Sequence, residues 1–317
     1  MISRPMSVVI RFVCRVLLIS AVFRGVFISS ARAELLPASS PYGAASVTRN
    51  IPYTDNPTPR QNFDLYLPGI SNGKPLPFIV WIHGGAWIMG IKDWDNVKYL
   101  VSHGYALASI DYRIAPRDQF PAQIQDCNTA LNFIIAHAAD YGLNPKELII
   151  GGASAGGHLA LLLGLARSEK SFGANPSIRP LAILDFFGYT DLNHAMDDLQ
   201  AIHAEKGIKL FQDVGPKLLG APVDQSADKL SLASPIRYLN VNSSPTLILD
   251  GSKDDLVPAI QGQHLHQAMD ALGLKNQFIL VPGAGHDGPL FSTPEIQAQV
   301  VSFLAGVLAK PGSHNQP

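Results

Sequence analysis

Short, nearly unbroken apolar runs recur along the chain and alternate with longer stretches in which apolar residues return every three or four positions. The runs are Phe78-Ile79-Val80-Trp81-Ile82, Ala106-Leu107-Ala108-Ser109-Ile110, Leu148-Ile149-Ile150, Leu181-Ala182-Ile183-Leu184, Thr246-Leu247-Ile248-Leu249 and Gln277-Phe278-Ile279-Leu280-Val281. Runs of this length without polar alternation suit parallel strands covered on both faces. Helical patterns fall between them, at about 95–104, 121–141, 155–167, 258–272 and 294–309. This alternation predicts an α/β fold with a mostly parallel central sheet, right-handed crossovers and helices on both faces. Strands near 47–52 and 61–67 extend one edge. Residues 188–235 break the rhythm: Asp197-Asp198-Leu199, Lys209-Leu210-Phe211 and Lys217-Leu218-Leu219 are amphipathic, with no strand between them. They read as a small helical insertion over the strand ends.

The N-terminus follows a different pattern. Residues 1–33 carry Arg4, Arg11, Arg15, Arg24 and Arg32 and no acid; an apolar stretch, Val16 to Phe23, precedes Ala31-Arg32-Ala33. A basic start, a short apolar core and small residues at a cleavage site describe a secretory signal peptide, too short for a membrane span. Cleavage is expected after Ala33, giving a secreted or periplasmic product with no stable membrane insertion. Residues 34–46, rich in Ala, Ser and Pro, read as an N-terminal arm. The folded domain is expected over 47–310, and 311–317 as a disordered tail.

Composition then excludes whole classes. The 317 residues are 47% apolar and 15% charged, which is unlike a disordered chain. A net charge of −1, more acidic once the leader is removed, argues against a nucleic-acid partner. Cys14 lies in the leader and Cys127 is the other cysteine, so the mature chain has no internal disulfide. Cys127 falls in a helical pattern beside Ile124, Ala130 and Leu131 and reads as a buried apolar residue.

The candidate chemistry begins at Leu148-Ile149-Ile150-Gly151-Gly152-Ala153-Ser154-Ala155-Gly156-Gly157-His158. A buried strand runs into Gly-x-Ser-x-Gly and on into a helix, which places Ser154 on a sharp turn with its hydroxyl exposed. The helix start also directs backbone amides at the site. No Gly-Lys-Ser/Thr follows, so a phosphate loop is disfavoured. After the 78–82 strand comes His83-Gly84-Gly85-Ala86-Trp87. Its turn leaves amides free to face a substrate oxygen, as acyl transfer requires. The expected oxyanion donors are Gly85 and Ala86, with Ala155 behind the nucleophile; His83 reads as a brace for the loop. Asp254 and then His286 follow later strands, and Ser–acid–His is the α/β-hydrolase chain order. His286 is the expected base and Asp254 its orienting acid. Asp255 is its near rival, because adjacent loop side chains cannot be oriented from spacing. Asp250, at a strand end, reads as structural, and His158 as support for the turn. The remaining histidines lack metal-ligand spacing, so neither a metal nor a cofactor is expected. Trp87 and Tyr112 are candidate walls of the substrate pocket.

Together, His83-Gly84-Gly85-Ala86-Trp87, Asp111-Tyr112-Arg113, Phe120-Pro121-Ala122-Gln123 through Asp126, Gly152 to His158, Asp254-Asp255-Leu256-Val257-Pro258 and Gly285-His286 resemble the α/β-hydrolase esterases near hormone-sensitive lipase. The resemblance is greatest to the bacterial carboxylesterase, feruloyl-esterase-like branch, and covers about residues 50–308. It implies an α/β-hydrolase fold, and it aligns Asp254 with the family acid and Asp255 with a position often held by proline. Ala86 stands where the lipase-like branch has a third glycine, which argues against esters of bulky tertiary alcohols. The implied activity is serine carboxylic-ester hydrolysis of short-acyl or aryl esters, with acetyl or feruloyl groups on polysaccharide as plausible substrates for an exported enzyme. Two alternatives stand beside it: an amide-cleaving relative, formamidase-like or acylaminoacyl-peptidase-like, and a catalytically dead hydrolase fold that serves as a binding module.

Overall fold

A computed structural model describes residues 33–35, 44–69 and 73–309. The leader expected over 1–33, apart from Ala33, and the tail expected over 311–317 lie outside the described residues. Nine strands form one sheet: β1 (Ala33–Leu35), β2 (Ala44–Pro52), β3 (Asn62–Pro68), β4 (Leu76–Ile82), β5 (Ala106–Ile110), β6 (Leu143–Ala153), β7 (Ala182–Phe186), β8 (Thr246–Gly251) and β9 (Asn276–Val281). Their order is β1-β2-β3-β5-β4-β6-β7-β8-β9. The edge from β1 to β3 is antiparallel, and β3 runs antiparallel to β5. From β5 onward every pair is parallel.

Burial explains why these strands read as continuous apolar runs. Phe78, Val80 and Ile82 of β4 face one apolar layer while Ile79 and Trp81 face the other, and all five are fully buried. Either side of a two-faced sheet must be apolar, so the period-two alternation of a half-exposed strand disappears. The helices that cover the faces are α1 (Ala122–Ala136), α2 (Ala155–Leu165), α6 (Ile260–Ala271) and α7 (Pro294–Leu308). All eleven residues of α2 are buried, a helix enclosed on every side.

Between β7 and β8, where the sequence shows amphipathic segments, lie α3 (Ala195–Ala201), α4 (Glu205–Leu219) and α5 (Ala227–Leu232).

Three boundaries depart from expectation. The helix anticipated over 121–141 ends at Ala136: beyond it the pattern tightens to turns in which Ala138 donates to Ile135, Asp140 to His137 and Gly142 to Ala139, and the chain passes into β6. The helix anticipated over 95–104 is a six-residue 3-10 turn, Lys98–His103, closed by Gly104 at φ 88°. The arm expected over 34–46 begins and ends in strand: β1 pairs Leu35 with Ser46 and Glu34 with Val47. Backbone pairing along a sheet edge holds this segment, a force that its Ala, Ser and Pro composition does not announce.

Candidate active site

Ser154 sits between β6 and α2 at φ 56°, ψ −122°. A non-glycine residue in this region is strained, and the surroundings hold it there. Its amide donates to the Phe186 carbonyl at 2.8 Å, and its carbonyl accepts from the His158 amide at 3.0 Å. Flanking glycines are obligatory for steric reasons. A Cβ on Gly152 would run into the carbonyl of Gly156, and one on Gly156 into that of Ile82. The turn thus packs backbone on backbone, and the serine hydroxyl projects from its apex.

His286 follows β9. Its Nε2 lies 2.8 Å from Ser154 Oγ and its Nδ1 lies 2.7 Å from Asp254 Oδ2. The Phe187 ring packs edge-on against the imidazole at 5.0 Å. Asp254 follows β8, with its side chain fully buried. Its other oxygen, Oδ1, accepts from the amides of Leu256 at 2.8 Å and Val257 at 2.9 Å. With both carboxylate oxygens satisfied, burial leaves the charge compensated. Asp255 points the other way: it is 44% exposed and pairs with Lys206 at 2.7 Å. Geometry therefore joins Asp254, and not its neighbour, to the imidazole.

Opposite the serine, the chain after β4 turns through Gly85 (φ 112°), Ala86 (φ 50°) and Trp87 (φ 60°). Among the described residues, none accepts a hydrogen bond from the amides of Gly85, Ala86 or Ala155. Ala86 and Ala155 border the cavity that contains Ser154; Gly85 does not. The Gly85 carbonyl instead accepts from Ile88 and Met89, which holds the turn closed. His83 is fully buried beneath it, with Nε2 3.0 Å from Asp111 Oδ1 and Nδ1 2.7 Å from the Gly84 carbonyl.

The two expected wall residues separate. Trp87 borders the cavity. Tyr112 does not: its ring stacks on His83 at 4.4 Å and its hydroxyl donates to the His83 carbonyl at 2.9 Å, leaving it wholly buried. Its role is to support the loop from behind, because a fully enclosed ring has no face left for a ligand. Trp87 is itself fixed by His158. The indole N–H donates to His158 Nδ1 at 3.2 Å, while His158 Nε2 lies 2.7 Å from the Ala233 carbonyl. This pairing requires the neutral imidazole with its proton on Nε2, and burial pushes the His158 pKa down to about 4.

The other walls are Tyr189, Leu210, Phe211, Val214, Leu256 and Val257. Sequence reasoning singled out none of these as site residues. The signal that could have found them is the amphipathic Lys209-Leu210-Phe211 segment within an insertion placed over the strand ends. Among the described residues, no group of three or more His, Cys, Asp or Glu could hold a metal ion. Cys127 is fully buried within α1.

The chain is similar in fold and in sequence to known esterases. A truncated carbohydrate esterase from gut microbiota superposes with a TM-score of 0.74 at 25% identity, over 86% of this chain and 99% of that one. Esterase LipQ of Mycobacterium tuberculosis is 29% identical over 280 residues, covering 83% of this chain and 63% of LipQ. Esterase LipC of the same organism is 27% identical over 248 residues, 75% of this chain and 59% of LipC. The chain thus spans about three-fifths of the length of these two curated relatives. The BD-FAE family model matches residues 63–269, from β3 through most of α6 and including Ser154 and Asp254, and the chain belongs to that family of α/β-hydrolases.

Proposed function

We propose that this chain is a serine carboxylic-ester hydrolase that works through an acyl-enzyme on short-acyl or aryl esters, with acetyl or feruloyl groups on polysaccharide as its substrate class. The observation that carries this reading is the continuous hydrogen-bonded line from Asp254 through His286 to Ser154, beside the Ala86 and Ala155 amides, which have no acceptor among the described residues. The esterase relatives and the carbohydrate esterase of similar fold support the reaction class and the carbohydrate-borne ester.

Ser154 Oγ attacks the ester carbonyl carbon as His286 Nε2 takes the hydroxyl proton. The carbonyl electron pair moves onto oxygen, and the Ala86 and Ala155 amides donate to the resulting oxyanion; one such donor contributes about 2.7–4 kcal/mol. The start of α2 adds its dipole. As the C–O bond to the alcohol breaks, the imidazolium returns its proton to the departing oxygen, leaving the acyl group on Ser154. Water then repeats the sequence: His286 removes its proton, the oxygen adds to the acyl carbon, and the acid leaves as Ser154 regains its proton. Asp254 keeps the imidazole in the tautomer with Nε2 free to accept and stabilises the imidazolium formed twice per cycle.

Hydrolysis of p-nitrophenyl acetate by the wild type, lost in Ser154→Ala, is the expected result. Equal turnover of the matching anilide would instead favour an amidase. The acid-free, arginine-bearing start supports export with cleavage after Ala33, which N-terminal sequencing of the mature protein tests.

A further inference from the structure

The cavity beside Ser154 is lined by aromatic rings. Trp87 stacks on Tyr189 at 6.1 Å, and Tyr189 packs against Phe211 at 5.8 Å. Leu210, Phe211 and Val214, all from α4, form the far wall. Phe211 and Val214 are buried, and the Tyr189 hydroxyl is turned away to donate to the Leu256 carbonyl at 2.8 Å. The polar side chains that remain in the cavity are the reacting ones, Ser154 and His286.

The wall is anchored at both ends. Near its start, Lys206 pairs with Asp255, next to Asp254, at 2.7 Å. Near its end, the Leu218 carbonyl accepts from the Phe120 amide at 2.8 Å.

We propose that α4, through Phe211 and Leu210, gauges the acyl half of the ester, so that the bulk of these side chains favours short acyl groups over longer ones. The proposal rests on the ester-hydrolase reading and narrows it. The α4 side of the cavity is lined by apolar side chains, so an alcohol carried on a polar sugar chain is better accommodated on the open side. The apolar side therefore falls to the acyl group.

The test is a matched pair of ester series: p-nitrophenyl acetate, butyrate and hexanoate, which vary the acyl group, and acetate esters of methanol, p-nitrophenol and xylose, which vary the alcohol. In the wild type, kcat/KM is expected to fall at least tenfold from acetate to hexanoate. In Phe211→Ala the hexanoate-to-acetate ratio is expected to rise at least tenfold, with the alcohol series keeping its order. Leu210→Ala, at a half-buried position, should move the ratio the same way by a smaller factor and stands in if Phe211→Ala does not fold. A variant that is merely damaged lowers both esters alike and leaves the ratio where it was. A wild type equally fast on hexanoate overturns the gauge but keeps the ester-hydrolase reading. So does an unmoved ratio in both folded variants, or a change confined to the alcohol series. Absence of any Ser154-dependent ester hydrolysis overturns both.

Discussion

Two walls face each other across the Ser154 cavity, and they are built on opposite principles. The strand-end wall, made by the turns after β4, β6, β8 and β9, is polar and strained, with its reacting atoms held at 2.7–2.8 Å. The helical wall from α4 is apolar and offers only shape. The first wall can be altered by a single atom and lose the chemistry; the second can lose several methylenes and change only what is admitted. Reactivity and selectivity thus sit on separate pieces of chain, joined by His158, which touches Trp87 on one side and Ala233 of the insertion on the other.

Changes on the strand-end wall should have the largest effects. Ser154→Ala and His286→Ala should each lower kcat by about 10⁵–10⁶-fold, as loss of a nucleophile or its base does elsewhere, read from p-nitrophenyl acetate turnover with the fold checked by circular dichroism. Asp254→Asn should cost about 10³–10⁴-fold by favouring the wrong imidazole tautomer. Asp255→Asn removes only an exposed ion pair, which solvent screens, and should leave turnover nearly unchanged. Comparable losses in the two variants would erase the distinction between neighbouring carboxylates.

His158→Leu sharpens the comparison at the joint between walls. It leaves the Trp87 indole N–H and the Ala233 carbonyl without partners, about 1–3 kcal/mol for each, seen as a lowered denaturation midpoint. The pH dependence has a definite sign. Because the folded-state pKa of His158 is depressed to about 4, the unfolded chain binds a proton between about pH 6.5 and 4 that the folded chain refuses. Stability is therefore lost as pH falls through that window. In His158→Leu this part of the acid slope should vanish; a slope identical to wild type would contradict the neutral imidazole.

A smaller effect on turnover is expected beneath the strand-end wall. Asp185 and Asp250 are fully buried, and among the described residues Asp185 Oδ2 and both Asp250 oxygens have no hydrogen-bond partner. Burial raises the Asp185 pKa to about 7 and that of Asp250 well above the usual carboxylate range. The folded chain keeps a proton on Asp185 that the unfolded chain releases near pH 4, so stability declines as pH rises from about 4 to 7. Asp185→Asn, whose carbonyl can still accept from the Gly188 amide, should raise thermal stability above pH 7 by about 2–4 kcal/mol. Turnover should change little. Destabilisation at that pH would show that a charged Asp185 is tolerated.

The same contrast governs what the chain discloses as a sequence. The central parallel strands were legible because burial on both faces writes an apolar run, although edge strand β9 carries a similar run while only partly buried, and the turn after β6 was legible because Gly152, Ser154 and Gly156 satisfy a steric demand that few residues meet. The choice of Asp254 over Asp255 was not legible from spacing, since it depends on which carboxylate the loop turns inward to the Leu256 and Val257 amides. Tyr112 looked like a wall residue because an aromatic after a strand serves either packing or binding; only its stacking on His83 decides. The α4 wall was hidden for a broader reason. Leu210, Phe211 and Val214 obey the ordinary rule for an amphipathic helix, and nothing in that pattern distinguishes a face turned to a cavity from one turned to the core.

Reaction of the purified protein with an ethyl fluorophosphonate, followed by intact-mass and peptide-level mass spectrometry, tests the central claim most directly. A hydroxyl activated by His286 should take up one phosphonyl group per chain, on Ser154, with loss of esterase activity in step and no uptake by Ser154→Ala. Ester hydrolysis that survives unlabelled, or a label carried by another residue, would contradict the role of Ser154 as nucleophile.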